Sequence, residues 1–143
     1  MEQQTVKLLR ECDAGIAMGV SSISEVLDRV ENEKMKNALN RCKTEHEKLK
    51  EKTKKMLDSY GDEGKSPNPV AKGMSFVKTE WMLGVDRNDS TVADLMTDGC
   101  NMGVKSLWHY LNRYTDADPR ARSIAKELAE SEEKLAIEMR GYL

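Results

Sequence analysis

Cys42 and His46 are the two side chains whose types and spacing come closest to a metal site. They lie four residues apart, which places a thiol and an imidazole on one face of a helix. Asp13 falls on the apolar side of the preceding helical pattern, so the candidate metal ligands are Asp13, Cys42 and His46. The alternative interpretation is that Cys42 and His46 are packing residues between helices and bind no metal.

A standard di-iron site is excluded by the residues that precede the two histidines. Such a site in a helical bundle needs Glu three residues before His on two helices. In this chain the residue three positions before His46 is Lys43, and the one three positions before His109 is Ser106. The inward faces of the predicted helices offer only Asp13 as a carboxylate. There is also no nucleophile motif or phosphate-binding loop. We therefore expect no catalytic residues, no cofactor and a protein that is not an enzyme.

Charge and length exclude further classes of protein. The 143 residues suit one domain spanning 1–143, and a net charge of −2 with a pI near 5.8 is unlike a general nucleic-acid-binding protein. The longest uncharged run, 14–24, is too short to cross a bilayer. No secretory signal follows Met1, and the odd number of cysteines, 3, does not form a disulfide framework. We expect a cytoplasmic protein that binds no membrane.

Apolar residues recur every three or four positions over the first 60 residues, as in amphipathic helices. The recurrence that ends at Val30 does not continue into the one that begins at Met35, because the first register would place Lys34, Asn37 and Arg41 inside. A tight turn near 31–33, which makes an antiparallel helical hairpin, explains this change of register. One continuous helix with a register slip is the alternative.

The same pattern predicts three more helices after a breaker segment at 61–69. Asn68 and Asp118, each followed by proline, are predicted N-caps, and Asp89 or Ser90 is the predicted cap between them. The predicted helices cover about 4–30, 34–60, 69–85, 90–114 and 119–141.

The lengths of these helices predict an all-α fold. A shorter helix, 69–85, lies between the second and the third of the four long ones. This arrangement indicates a ferritin-like four-helix bundle of two antiparallel hairpins, with the short helix as the crossover. The crossover makes the predicted helices 34–60 and 90–114 parallel.

Several stretches resemble a bacterial family of ferritin-like four-helix-bundle domains of unknown function. They are Asp13-Ala-Gly-Ile16, Arg41-Cys-Lys-Thr-Glu-His46, the 73–83 segment with Trp81, Val104-Lys-Ser-Leu-Trp-His-Tyr110 and Asp116-Ala-Asp-Pro119. The resemblance covers about 4–140 and implies the bundle fold and a cytoplasmic bacterial setting. Members carry acidic residues in the fourth helix and a histidine in the last, where this chain has Asp98 alone, and Glu132 and Glu133. No activity is settled for this family, so the resemblance implies none.

Polar residues at inward positions predict a buried polar layer joined by hydrogen bonds, which serves packing specificity more than chemistry. Its predicted members are Asp13, His46, Thr53, Tyr110 and Ser131. Phe76 and Leu83 lie on the outer side of the predicted short helix, so we expect them to form an interface in a homodimer or with a protein partner.

The residues leave three functions open. The one we favour is a non-catalytic bundle that acts through protein contacts or self-association. The first alternative is a divergent ferritin-like protein that binds metal or protects against oxidative stress. The second is a binder of a small apolar ligand in the bundle core, for which the 9 methionines offer an adaptable lining.

Overall fold

Four long helices make up most of the computed structural model, which describes residues 1–65 and 88–143. The helices are α1 (Glu2–Val26), α2 (Glu33–Ser59), α3 (Asp89–Arg113) and α4 (Pro119–Met139). Short 3₁₀ turns follow α1 and α4, at Leu27–Arg29 and Arg140–Tyr142. No strand occurs within the two described ranges. The all-α prediction is therefore confirmed for this part of the chain.

The chain turns between α1 and α2, as the change of register predicts. Val30 and Asn32 have extended backbone, with ψ of 130° and 123°, which a continuous helix does not allow. The Asn32 side chain accepts a hydrogen bond from the Met35 backbone N–H and caps α2. The alternative of one continuous helix is wrong. The α-helical part of α1 ends at Val26, four residues before the predicted end, because its last turn tightens into the 3₁₀ turn.

The last two helices both begin with a side-chain N-cap. Asp118 accepts a hydrogen bond from the Arg120 N–H, and Pro119 takes the first helical position of α4, as predicted. Asn88, rather than Asp89 or Ser90, caps α3 through the Thr91 N–H. Asp89 instead accepts from the backbone N–H groups of Glu31 and Asn32, at 2.8 and 3.1 Å, so its side chain is engaged by the α1–α2 turn.

Contacts between the helices show how the two hairpins lie against each other. The helices α1 and α4 each pack against the other three, whereas α2 and α3 pack against α1 and α4. Along α2, Arg41 pairs with Glu138 and Lys52 with Glu127, so α2 and α4 are antiparallel.

The helix ends give the directions of the other pairs. Asp89 binds the turn at the start of α2, while Arg122 of α4 donates to the Leu111 carbonyl near the end of α3. The helices α2 and α3 therefore run in the same direction, which confirms the predicted parallel orientation. The crossover helix predicted over 69–85, with its Asn68 cap, Phe76 and Leu83, lies outside the described residues.

Candidate functional site

The buried apolar residues form two separate clusters along the bundle axis. One cluster lies toward the α1–α2 turn and the other toward the opposite end, where the α3–α4 connection lies. The turn-side cluster includes Ile23, Leu39, Cys42, Val92, Met96, Cys100, Leu135 and Met139. The opposite cluster includes Leu8, Leu9, Ile16, Leu49, Leu107, Leu111, Ala129 and Leu128.

One residue from each helix lies between these clusters, and we call the four together the mid-bundle layer. Each lies three or four residues from a member of both clusters on its own helix, which is the spacing of successive layers in a helical bundle. All four positions are polar or lack a side chain where a bundle core has an apolar one. The mid-bundle layer consists of Gly19, His46, Gly103 and Glu132.

His46 is held in one orientation by its own helix. Its Nδ1 lies 2.9 Å from the Cys42 carbonyl oxygen, which can only accept, so Nδ1 carries a hydrogen. The Cys42 sulfur lies 3.6 Å from the same nitrogen. The other ring nitrogen, Nε2, therefore faces across to α4, where Oε1 of Glu132 lies 3.8 Å away.

Both ionisable groups of this pair are deeply buried and incompletely satisfied. His46 is 1% exposed and Glu132 is 9% exposed. Neither His46 Nε2 nor Glu132 Oε2 has a hydrogen-bond partner in the described part of the chain. A buried charge without full compensation is costly, so the geometry of this pair is energetically demanding.

The two glycines of the mid-bundle layer make room for the two polar side chains. A Cβ on Gly19 would lie 2.6 Å from His46 Nε2 and 2.7 Å from Cδ2. A Cβ on Gly103 would lie 2.6 and 2.8 Å from the two carboxylate oxygens of Glu132. These separations are shorter than real Cβ contacts, so a side chain at either glycine would require the imidazole or the carboxylate to move.

The pKa values of the pair shift in the same direction. Burial raises the pKa of Glu132, and His46 offsets part of this effect. Burial lowers the pKa of His46, but the Cys42 sulfur and the Glu132 carboxylate outweigh burial and raise it above the ordinary value. The folded protein therefore holds protons on this pair more tightly than the unfolded chain does.

A chain of polar contacts joins the mid-bundle layer to the surface between α2 and α4. The Cys42 sulfur lies 3.5 Å from Ser131 Oγ, and that hydroxyl donates to Glu45 Oε1 at 2.8 Å. Glu45 in turn lies 3.5 Å from Arg41 Nε. Arg41 also donates to Glu138 at 2.6 Å. The buried pair is thus continuous with a partly exposed ion-pair network.

The structure brings together two of the five residues predicted to form a polar layer. His46 and Ser131 both contact Cys42. Thr53 is fully buried, but its hydroxyl donates to the Leu49 carbonyl of its own helix. Tyr110 is partly buried and stacks on Tyr114, with ring centroids 6.3 Å apart. Asp13 is partly buried near the middle of α1.

Asp13 contacts the segment that follows α2 and does not join the predicted polar layer. Its Oδ2 accepts a hydrogen bond from the Lys65 backbone N–H, because residues 62–65 run along this side of α1. Lys65 also pairs with Glu11, and Asp62 with Arg10. The expectation that Asp13 is the only inward carboxylate is wrong, since Glu132 is the buried one.

The candidate metal ligands are accordingly separated. Cys42 and His46 contact each other, while Asp13 is bound to the segment after α2. Within residues 1–65 and 88–143, no group of three or more His, Cys, Asp or Glu side chains has the geometry to hold a metal ion.

The thiols of Cys12 and Cys100 are not activated. Burial raises the pKa of Cys12 to about 12, and the nearby carboxylates of Glu11, Asp13 and Glu132 add to this effect. Burial also raises the pKa of Cys100. Thiols of this kind stay protonated at neutral pH and are poor nucleophiles.

Glu132 and the two glycines are the site residues that the sequence pattern did not predict. Glu132 is four residues after Leu128 and three before Leu135, so the period of the last helix is compatible with an inward side chain there. Its neighbour Ser131 fits the same inward spacing. Because Glu132 is charged and Ser131 is not, the sequence alone favours Ser131 inside and Glu132 in solvent. A glycine at the same level of a facing helix is the signal that could have revealed it.

The fold and this site define a helical bundle whose core is interrupted by a buried histidine–glutamate pair. Comparisons with protein-family models, with curated proteins and with solved structures gave no match to the chain. In the part of the chain that the structure describes, no helix combines the length and apolar character needed to span a bilayer.

Proposed function

We propose that the protein is a non-catalytic, ferritin-like helical bundle that acts through protein–protein contacts, including self-association into a homodimer. The bacterial and cytoplasmic setting implied by the resemblance is part of this proposal. The observation that carries it is the unusual composition of the outward face of α3, which we call the α3 face.

The α3 face differs sharply from the outward face of α2. Seven side chains or glycines are exposed among residues 99–109, and Lys105 is the one charged residue among them. Seven are also exposed among residues 45–55 of α2, and all seven are Lys or Glu. Depletion of charge is typical of the centre of a protein–protein interface, whereas the α2 pattern is typical of a solvated surface.

The α3 face also carries side chains that favour association. Met102 is 65% exposed and Trp108 is 45% exposed. Met102, Lys105, Ser106, His109 and Tyr110 line a shallow depression of about 250 Å³ on this face. Methionine and tryptophan are both enriched at interfaces, and a depression can receive a side chain of a partner.

The solution mass tests the proposal directly. We expect light scattering at increasing protein concentration to approach twice the chain mass of 16.2 kDa. The variant Met102→Glu places a charge on the α3 face and is expected to weaken association. The matched control is Thr44→Glu, which adds the same charge to a position of α2 outside the core.

Two results would contradict the proposal. A monomeric mass up to the solubility limit, unchanged in Met102→Glu, would remove self-association through the α3 face. Stoichiometric iron, manganese or zinc in protein purified without chelators would instead favour the metal-binding alternative.

A further inference from the structure

The two hairpins of the bundle need something other than their turns to set how they dock on each other. The register inside each hairpin is constrained by a short connection, 27–32 between α1 and α2 and 114–118 between α3 and α4. The stretch 60–88 that links the first hairpin to the second is much longer. Their relative axial position depends on contacts between the hairpins, which include the hydrogen bonds of the α1–α2 turn to Asp89 and the packing of α2 on α4.

Apolar packing alone specifies that position weakly. The α2–α4 interface brings Leu, Ala and Met side chains together in both clusters, and residues of this kind can repack after a shift of one turn. A buried pair of ionisable groups behaves differently, because each group depends on a partner at one level of the other helix.

We propose that the mid-bundle layer is a conformational lock that fixes the axial register of the two hairpins. His46 of the first hairpin and Glu132 of the second face each other at 3.8 Å. Any other register leaves a buried imidazole and a buried carboxylate apart, without compensation. The lock thus acts mainly by penalising alternative dockings.

The two glycines hold the side chains of the pair in place within their own hairpins. His46 fills the space beside Gly19 of its own hairpin, and Glu132 fills the space beside Gly103 of its own hairpin. Because each of these contacts lies within one hairpin, the glycines fix where the two side chains lie, and the contact of His46 with Glu132 then relates one hairpin to the other. The pair and its two glycines form one interlocking unit.

The decisive variant replaces both charges with apolar side chains of similar size, His46→Leu with Glu132→Met. Such replacements often preserve or increase stability, so we expect this variant to fold. Its matched control is Lys52→Leu with Glu127→Met, which removes an exposed ion pair between the same two helices.

The distance between spin labels reports the register directly. Cysteines introduced at the exposed positions Lys48 of α2 and Lys134 of α4 would carry the labels, since the native cysteines are at most 4% exposed. We expect one distance in the parent and the control. The double variant should show a second population of distances, produced by a slide of about 5.4 Å, one helical turn, along the bundle axis. A single unshifted distance in the double variant would overturn the proposal.

A second comparison does not need the double variant and tests the premise of the proposal, that packing beside Gly103 holds Glu132 in the position facing His46. Gly103→Ala places a methyl group against the Glu132 carboxylate, whereas Gly99→Ala meets nothing within 4 Å. We expect only Gly103→Ala to lower the urea midpoint, and Glu132→Ala to remove that difference between the two alanine variants. Equal midpoints for the two alanine variants with Glu132 present would contradict the interlocking role.

Discussion

The imidazole of His46 lies where a side chain on Gly19 would have to be, with Nε2 2.6 Å from the position of the absent Cβ. This contact joins α1 to α2 halfway along the bundle. Because the ring is also held by the Cys42 carbonyl and faces Glu132, it has little freedom to move aside. The glycine is therefore needed for close approach, not for an unusual backbone conformation.

Gly19→Ala is expected to destabilise the protein, while Gly15→Ala is expected to stabilise it. Alanine gains about 1 kcal/mol over glycine within a helix. At Gly19 that gain is opposed by overpacking against His46, which typically costs about 1–3 kcal/mol. At Gly15 the new methyl group would make an ordinary contact of 3.8 Å with Leu128. Urea unfolding of both variants measures whether each one raises or lowers the free energy of unfolding. Equal changes in the two variants would contradict the close packing of His46 on α1.

The stability of the protein should fall as the pH rises above 6.5, the ordinary pKa of histidine. The pKa values of His46 and Glu132 are both raised in the folded state, so folding takes up protons. The stability that such groups contribute is fully present below their pKa values in the unfolded chain. It is lost as the pH rises past their pKa values in the folded protein. The uptake of one proton on folding changes the free energy of unfolding by at most about 1.4 kcal/mol per pH unit.

Urea unfolding between about pH 7 and about pH 9 measures this dependence. Glu132→Gln removes a charge that raises the pKa of His46, so its stability should vary less with pH. Glu133→Gln, at the exposed neighbouring position, is the control and should keep the slope of the parent. A slope that is the same in all three proteins would show that the buried pair does not cause it.

Much of the fold follows from the sequence because local signals agree with the hydrophobic pattern. The change of register after Val30 predicts the turn, and Asp118 with Pro119 predicts the start of α4. Both signals depend on neighbouring residues alone. The predicted cap of α3 is wrong by one residue because Asn88 and Asp89 are equally good cap residues, and only the contact with the α1–α2 turn distinguishes them.

The site is harder to predict because it depends on contacts between distant segments. Asp13 satisfies the inward pattern of α1, yet residues 62–65 bind that side of the helix. Glu132 is charged and follows a serine, so a pattern within one helix cannot show that His46 compensates its burial. The complementary glycines become informative only when the facing helices are known.

Removing the cap of α2 should cost about 1 kcal/mol of stability. The Asn32 side chain accepts the Met35 N–H at 3.0 Å, and Asn32→Ala leaves that N–H without its side-chain partner. Asn40→Ala changes the same residue type at an exposed position within α2 and should alter stability by less than about 0.5 kcal/mol. Thermal or urea unfolding of the two variants provides the comparison. A smaller cost for Asn32→Ala than for Asn40→Ala would contradict the capping role.

Gly64→Ala should destabilise the protein more than Gly61→Ala does. Both glycines have positive φ, 86° and 67°, so an alanine at either position carries about 1–2 kcal/mol of backbone strain. A Cβ on Gly61 meets nothing within 4 Å, whereas one on Gly64 would collide with the Asp13 carboxylate. That carboxylate accepts the Lys65 N–H at 3.0 Å, so the collision would also weaken the attachment of residues 62–65 to α1.

The difference between these two variants isolates the contact with Asp13 from the backbone strain that they share. We expect the extra cost of Gly64→Ala to shrink when Asp13 is also changed to Ala, because the collision is then absent. Urea unfolding of the two single variants and of the two combinations with Asp13→Ala forms a double-mutant cycle. If Gly64→Ala and Gly61→Ala are equally destabilising with Asp13 present, the segment 62–65 is not held against α1 in the way described.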